Sequence, residues 1–540
     1  MNSLTGTRAL MRLALRLDRV RLTVWVLGLS VMPMGTAANY FKLYPTEADL
    51  QAVSGVLSNP SLVALSGPLF VVSIGGITVW KIGVTEFILI GLMSLLTVVR
   101  HTRTEEETGR LELIRATVVG RYAPLTAALA VTGLANLVIA VLIALGLMAT
   151  GLPAAGSVAF GLATGLVGML FAAVAAVAAQ LTRGARAAVG IAGAVLAGTY
   201  LLRAVGDTGP TWLSWLSPMG WALHMRPYAG ERWWVAGLFV VFAAACTVVS
   251  YVLVGRRDVD AGLLPDRPGP AEAAPGLRTP LALAWRLHRG LLLGWAIGLT
   301  LTGAVMGGAA VGIDNLESPN QQLTDILARM GGRTGITNAF LAAIFGITGM
   351  VAAAYTVQAT LRLRQEESSG RVEALLATRV GRLRWAASHL TFALLGTALL
   401  LALALLGTAL LLVVAGLAGG LSYGAQVHDV DGQIGRLLGA ALVQLPATWV
   451  LAGLGTALIG LAPRHASLTW AALILSVLLV ELGALFGLNQ WIVDLTPFAH
   501  VPKLPGSAFI LTPVLTLTVI AAALGAAGLA GLRRRDMPVM

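Results

Sequence analysis

The chain has 540 residues, of which 57% are hydrophobic and 11% charged, and its formal net charge is +12. A soluble domain normally carries about a quarter charged residues. Several apolar runs here approach or exceed the roughly 20 residues that a helix needs to cross a bilayer. This composition excludes an ordinary soluble protein and predicts an all-α polytopic membrane protein, whose excess arginines fix topology rather than bind nucleic acid.

The N-terminal stretch "TRALMRLALRLDRVR" is too rich in arginine for a cleavable signal peptide. Arg8, Arg12 and Arg16 recur every four residues with leucines between them. That spacing predicts an amphipathic helix lying on the membrane surface before the first span. The single cysteine, Cys246, rules out an intramolecular disulfide.

Apolar runs predict twelve transmembrane helices. If the N-terminus is cytoplasmic, most of the 37 lysines and arginines fall on the cytoplasmic side. The positive-inside rule therefore predicts that both termini are cytoplasmic. The predicted spans are 22–38, 76–99, 122–149, 156–181, 187–205, 233–254, 290–312, 337–361, 386–417, 437–462, 466–487 and 508–532.

Two halves, 1–257 and 281–540, flank a linker at 258–280 that is rich in proline and glycine. "RLDRVRLTVW" and "RLHRGLLLGW" both lead into a first span, and "LSPMGW" and "LTPFAH" both precede a last span. "RRDV" at Arg256 and "RRDM" at Arg534 both close a last span. Six spans in each half predict two parallel six-helix repeats.

The strongest match between the halves is a charged segment between the second and third spans. Arg103–Arg121 is identical to Arg364–Arg382 at 11 of 19 positions, without a gap. A solvated turn would explain one copy, but the same spacing written twice favours a docking surface for a partner that also comes twice. The candidate contact residues are Arg103, Glu105, Glu106, Gly109, Arg110 and Glu112, with Arg364, Glu366, Glu367, Gly370, Arg371 and Glu373.

Local spacing adds detail to these two loops. Glu106 lies four residues before Arg110, and Glu367 four before Arg371, so each pair is expected to meet along a short helix. Gly109 and the equivalent glycine predict a bend or a close backbone approach. The paired glutamates are expected to face outward, toward the partner.

The motif E-E-x-x-G-R-x-E with its A-T-x-V tail resembles the loop of ABC-2 type permeases. In that family the loop contacts ATP-binding subunits, so the resemblance implies an exporter fold of the ABC-2 kind and a partner that holds ATP and Mg²⁺. The twelve-span form resembles actinobacterial antibiotic and multidrug exporters of the bacterial plasma membrane. It implies export of an amphipathic small-molecule substrate from the lipid bilayer.

One observation is independent of that resemblance. Lys42, Lys81 and Lys503 follow Phe, Trp and Pro, so the Gly-Lys pair of a Walker A loop does not occur in the sequence. We therefore expect a separate ATPase subunit, in two copies, and no enzymatic activity, cofactor or metal in this chain. The scattered histidines, without zinc-binding spacing, make a membrane-embedded enzyme the weaker interpretation.

The main alternative is an ion-coupled drug carrier of the major-facilitator type, which needs ionisable residues within the membrane. Glu86 and Glu481 are the candidates, and we predict that they line a substrate path. Glu86 can instead pair with Lys81 or stay near the interface, and Glu481 can instead form a hydrogen bond between helices.

The segments before the sixth and twelfth spans predict an outer gate. The first copy holds Trp212, Trp215, Pro218 and Trp221, and the second holds Pro497. Tryptophans at this depth indicate either re-entrant helices or an interfacial aromatic belt, and both interpretations stay open. The identity of the substrate does not follow from the sequence.

Overall fold

The computed structural model describes residues 3–51, 60–115, 118–257, 262–263, 272–274, 276–314, 332–418, 437–482, 489–505 and 507–536. All regular secondary structure in these residues is helical. Ten of the described helices are long and apolar enough to cross a membrane. The prediction of an all-α polytopic membrane protein is confirmed.

The chain divides into two compact units, Met1–Gly269 and Pro270–Met540. The boundary falls within the predicted linker at 258–280, most of which lies outside the described residues. Each unit is described by itself below.

Unit 1 contains the first six candidate spans, close to where the apolar runs predict them. They are Arg19–Leu43, Ile74–Glu107, Ala123–Ala149, Ala154–Leu181, Ala185–Thr208 and Val235–Arg256. The helices are α1 (Thr7–Leu17), α2 (Arg19–Leu43), α3 (Pro60–Ser66), α4 (Ile74–Val99), α5 (Arg110–Arg115), α6 (Ala123–Ala149), α7 (Ala154–Leu181), α8 (Ala185–Thr208), α9 (Trp212–Trp215), α10 (Pro218–His224) and α11 (Val235–Arg256).

Unit 2 repeats this order with four candidate spans, Leu341–Ser368, Arg382–Gly407, Leu437–Leu461 and Leu511–Arg534. The remaining two predicted spans, 290–312 and 466–487, fall on the helices Pro280–Asp314 and Leu468–Leu482, so the total of twelve stays a prediction. The helices of unit 2 are α12 (Pro280–Asp314), α13 (Gly332–Ser368), α14 (Arg371–Leu376), α15 (Arg382–Ala418), α16 (Leu445–Leu461), α17 (Leu468–Leu482), α18 (Gln490–Val493) and α19 (Leu511–Arg534).

The N-terminal helix α1 is confirmed as a separate helix, which ends at Leu17 and is divided from α2 by Asp18. It packs against α6, with Ala14 buried and Leu13 and Leu17 exposed. The arginines that mark its polar side are therefore held beside the start of the third span.

Small residues bring α16 and α19 of unit 2 into backbone contact. A Cβ atom placed on Gly460 would lie 1.9 Å from the carbonyl oxygen of Gly528. Such close approach maximises dispersion contacts where lipid removes the usual hydrophobic driving force between helices. The last helix of the unit is thereby fixed against α16.

Candidate functional site

Both repeated loops fold into the same turn. In unit 1, α4 continues through a wider helical turn at Arg100–Thr104 and stops at Gly109, which has a φ of 70°. In unit 2, α13 runs to Ser368 and stops at Gly370, which has a φ of 71°. The next helix, α5 or α14, begins at the following arginine. The bend predicted at both glycines is present, because a left-handed backbone is accessible to glycine at little cost.

The second glutamate of each loop binds two arginines. Glu106 pairs with Arg103, three residues earlier, and with Arg257 just past the end of α11. The contact with Arg257 is bidentate: Nη2 lies 2.7 Å from Oε1, and Nη1 donates to Oε2 at 3.1 Å. The pair is largely buried, with 7% of the arginine side chain and 4% of the glutamate side chain exposed.

Unit 2 builds the same cluster from equivalent residues. Glu367 lies 3.1 Å from Arg364, again three residues earlier. Arg535, just past the end of α19, approaches both carboxylate oxygens, with Nη1 2.6 Å from Oε1 and Nη2 donating to Oε2 at 2.7 Å. The two units thus form one arginine–glutamate–arginine arrangement each, at matching positions of the repeat.

The predicted pairing of each glutamate with the arginine four residues later is wrong. Arg110 lies 3.7 Å from Glu105, and Arg371 lies 3.4 Å from Glu366. The physical reason is the glycine bend, which ends the helix between the residues that were expected to face each other. Arg257 and Arg535 pair with the second glutamates instead.

The expectation that the paired glutamates face outward is also wrong for three of the four. Glu106 is 7% exposed, and Glu366 and Glu367 are each 5% exposed. Glu105 alone of the four is partly accessible. The buried carboxylates are committed to arginines of their own unit, because an unpaired buried charge would be costly.

The last residue of each repeated motif is hydrogen-bonded to the helix end that carries Arg257 or Arg535. Arg121 donates from Nη2 to the carbonyl oxygen of Arg257 at 3.0 Å and from Nε to that of Val254 at 3.1 Å. In unit 2, Arg382 donates to the carbonyl oxygen of Arg535 at 2.7 Å. We call these contacts the end clamp: Glu106, Arg121 and Arg257 in unit 1, and Glu367, Arg382 and Arg535 in unit 2.

Sequence reasoning missed Arg257 and Arg535 as partners of the loops. "RRDV" and "RRDM" marked the ends of two spans, and each was interpreted only as a topology anchor. In the structure the first arginine of each pair, Arg256 or Arg534, is exposed, while the second turns inward. Two repeated acidic loops and two repeated basic helix ends were a signal for this pairing.

A smaller set of side chains remains on the surface of each loop. Arg110 and Arg371 have 65% and 60% of their side chains exposed, and Leu113 is 75% exposed. We define the outer face by three exposed residues that follow each glycine bend: Arg110, Glu112 and Leu113 in unit 1, and Arg371, Ala374 and Thr378 in unit 2. Each outer face places an apolar residue three positions after an exposed arginine.

The N-terminal segment also holds the first loop. Asp18, between α1 and α2, is 1% exposed and lies 2.9 Å from Arg100 and 2.8 Å from His101. Backbone N–H groups of Gly120 and Tyr122 donate to the carbonyl oxygens of residues 5 and 3, at 2.9 Å and 3.1 Å. The loop of unit 1 is thus fixed at both its beginning and its end.

The predicted outer gate lies at the opposite end of unit 1. α9 and α10 are two short helices, and Ser217 caps the second by accepting a hydrogen bond from the N–H of Gly220. Trp215 stacks on His224 with ring centroids 4.4 Å apart. Burial, together with the nearby charges of Arg226 and Arg232, lowers the pKa of His224 to about 4, so its ring is neutral at physiological pH.

The gate residues are unequally enclosed. Trp212 is 62% exposed, Pro218 is buried at the first turn of α10, and Trp221 packs edge-on against Phe239. In unit 2, Thr496 caps the short turn that contains Pro497 in the same way as Ser217 caps α10. A gating role for these residues stays a prediction.

The two candidate substrate-path acids, Glu86 and Glu481, differ in what the structure describes. Glu86 on α4 is fully buried, and neither carboxylate oxygen has a hydrogen-bond partner among the described residues. Lys81 is exposed and does not pair with it within the described part of the chain. Glu481 falls at the end of α17, where the side chains lie outside the described residues.

Comparison with known proteins adds to this geometry. The family model described as "Multidrug efflux system permease Rv1217c, C-terminal domain" matches residues 277–410 and 401–533. The "Multidrug efflux system permease protein Rv1217c" of Mycobacterium tuberculosis (strain ATCC 25618 / H37Rv) is 47% identical over 536 residues, which cover 99% of this chain and 95% of that protein. The resemblance to ABC-2 type permeases agrees with both matches. The chain therefore belongs to the family of the multidrug efflux system permease Rv1217c.

Proposed function

We propose that this chain is the permease subunit of a multidrug exporter in the bacterial plasma membrane. It moves amphipathic small molecules out of the cell, and a separate ATP-binding subunit drives it from the cytoplasmic side. The observation that carries this proposal is the repeated loop: the same motif folds into the same turn in both units and exposes a similar outer face. The absence of a Walker A motif from the sequence agrees with a separate source of ATP hydrolysis.

Two copies of the ATP-binding subunit follow from the same repetition. Each unit carries one loop, and each loop is rigid because its buried glutamate is bound on two sides. A rigid surface loses little conformational entropy on docking, which favours affinity. One ATP-binding subunit at each outer face is the simplest arrangement.

The structure revises which side chains contact the partner. The second glutamates of the loops, Glu106 and Glu367, are buried within their own units. The outer face therefore makes the direct contact with the ATP-binding subunit. An exposed arginine beside an apolar residue suits a partner surface that offers a carboxylate next to a hydrophobic groove. We therefore expect Arg110, Leu113 and Arg371 to contribute more to docking than Glu106 or Glu367.

A second candidate function keeps some support from Glu86. A fully buried carboxylate without a hydrogen-bond partner is unusual, and intramembrane acids often serve proton or ion coupling. An ion-coupled carrier would use this group and would not need the repeated loops as docking surfaces. Transport that depends on Glu86 and a proton gradient, and not on ATP, would favour this alternative.

The docking proposal is tested by changing the outer faces. We expect Arg110→Glu with Leu113→Asp to weaken association with the ATP-binding subunit by about tenfold or more, because each charge-assisted contact contributes roughly 1.5–3 kcal/mol. Arg371→Glu with Ala374→Asp should act similarly in unit 2. Combining both pairs should abolish co-purification, which is the measurement, since no docked subunit would remain.

The matched control is Arg186→Glu with Arg384→Glu. Both arginines are exposed and lie outside the two turns, so the control makes the net charge more negative without altering an outer face. Co-purification should be unchanged in the control. If the variant with both outer faces changed still retains its ATP-binding subunits, docking does not occur through these loops.

A further inference from the structure

We infer that the end clamp couples each loop to the last helix of its unit, which makes Arg257 and Arg535 positioning residues for energy coupling. This inference rests on the proposed function, because it assigns a route by which a docked ATP-binding subunit moves a membrane helix. Docking itself would depend on the outer face. Transfer of the resulting movement to α11 or α19 would depend on the clamp.

The geometry of the clamp transmits orientation as well as position. Each guanidinium lies beside both oxygens of one carboxylate. In unit 1 the contacts at 2.7 Å and 3.1 Å are both hydrogen bonds, and in unit 2 the contact at 2.7 Å is a hydrogen bond and the contact at 2.6 Å is an ion pair. Two parallel contacts fix the relative rotation of the two groups, which a single contact does not. A tilt of the loop is therefore passed to the helix end.

A second attachment, made by Arg121 and Arg382, is a set of hydrogen bonds to the backbone at the ends of α11 and α19. The last carbonyl groups of a helix lack partners within the helix and need donors from elsewhere. Arg121 and Arg382 supply such donors to the carbonyl oxygens of Arg257 and Arg535, at 3.0 Å and 2.7 Å. The beginning and the end of each 19-residue motif thus hold the same helix end, one through a side chain and the other through the backbone.

Aromatic packing continues this attachment into the membrane in unit 1. Tyr122, the residue after the motif, lies edge-on to Tyr251 of α11 with ring centroids 5.6 Å apart. The hydroxyl of Tyr251 is hydrogen-bonded to Thr126 of α6 at 2.7 Å. The start of the third span, the end of the sixth span and the loop are thereby joined by direct contacts.

Neighbouring arginines show that the clamp is not a general effect of positive charge. Arg256 and Arg534 directly precede the clamp arginines and are exposed. A topology anchor needs only a charge near the membrane surface, and the exposed arginines meet that requirement. The inward turn of Arg257 and Arg535, made at the same motif position in both units, requires a separate reason.

The two clamps differ in strength. In unit 1, Nε of Arg257 donates to Oε1 of Gln180 at 2.6 Å, and this glutamine is the penultimate residue of α7. In unit 2, the penultimate residue of α16 is Gly460, and Nε of Arg535 has no hydrogen-bond partner among the described residues. We therefore expect coupling to be more sensitive to changes at Arg257 than to equivalent changes at Arg535.

The test uses the complete exporter, with its ATP-binding subunits, reconstituted in liposomes. We expect Arg257→Glu to leave the amount of co-purified ATP-binding subunit within twofold of wild type while reducing drug-stimulated ATP hydrolysis and transport at least tenfold. Arg535→Glu should cause a smaller loss of the same kind. Arg256→Glu and Arg534→Glu are the matched controls and should retain wild-type stimulation.

Two further variants separate coupling from folding. Arg257→Lys keeps the charge but loses the two-point contact, so it should fold normally and still lose most of the stimulation. The charge exchange Glu106→Arg with Arg257→Glu should recover at least a third of the wild-type drug-stimulated ATP hydrolysis. If Arg257→Lys fails to fold while Arg256→Glu folds normally, the clamp is only a structural element and the inference is overturned.

The remaining outcomes keep the two proposals apart. If the wild-type chain binds no ATP-binding subunit, the proposed function fails. If wild type is bound and stimulated by drug, and Arg257→Glu and Arg257→Lys behave like wild type, only the clamp inference fails. Equal losses in Arg256→Glu and Arg257→Glu would also overturn it, because net charge alone would then explain the effect.

Discussion

Gly528→Leu is expected to lower the melting temperature of the protein in detergent by roughly 5–10 °C. A Cβ atom at this position would lie 2.3 Å from the carbonyl oxygen of Thr456 and 2.5 Å from the backbone nitrogen of Ala457. Backbone atoms of a packed helix cannot move aside as a flexible side chain can. α19 and α16 must therefore separate, which also shifts the helix end that carries Arg535.

Gly525→Leu provides the control on the same helix. A Cβ atom at Gly525 would have no neighbour within 4 Å, so the larger side chain has room. Its melting temperature should be unchanged or slightly raised, because leucine favours a helix over glycine by up to about 1 kcal/mol. Equal melting temperatures for the two variants would show that α16 and α19 are not in backbone contact.

Arg203→Ala should destabilise unit 1 by about 3–5 kcal/mol, because it leaves a buried carboxylate without its charged partner. Arg203 is fully buried and lies 3.2 Å from Asp207. Its guanidinium also donates to the carbonyl oxygens of Val63, Ala64 and Leu65, at 3.4, 2.9 and 3.1 Å. One side chain thereby supplies the missing donors at the end of α3 and ties that helix to α8.

Companion variants identify which contacts matter. Arg203→Lys keeps the charge but cannot reach three carbonyl groups and a carboxylate at once, so it should lose about half of the stability that Arg203→Ala loses. Arg203→Ala with Asp207→Ala should be less destabilised than Arg203→Ala alone, because no unpaired charge remains. Additive losses in chemical or thermal unfolding would show that Arg203 and Asp207 do not interact.

The spans were predictable because a bilayer imposes a length and a composition on any helix that crosses it. The bends at Gly109 and Gly370 were predictable for a similar reason, since two glycines at the same motif position restrict the local backbone. Both features depend on properties of nearby residues.

The partners of the charged residues were not predictable by the same reasoning. Glu106 and Arg257 are 151 residues apart, and their pairing follows from the packing of α4 against α7 and of α7 against α11. Helical spacing favoured Arg110 as the partner, but spacing applies only while the helix continues. The contacts of Arg203 were not predictable either, because nothing in its local sequence indicates that α3 ends beside it.

Separation of ATP hydrolysis from the permease can be measured with the purified chain in liposomes. We expect no hydrolysis above that of empty liposomes from the chain alone. Adding the ATP-binding subunit should give a complex with two copies per chain, drug-stimulated hydrolysis and ATP-dependent drug transport. Drug transport by the chain alone, driven by a proton gradient and lost in Glu86→Gln, would contradict this expectation and identify an ion-coupled carrier.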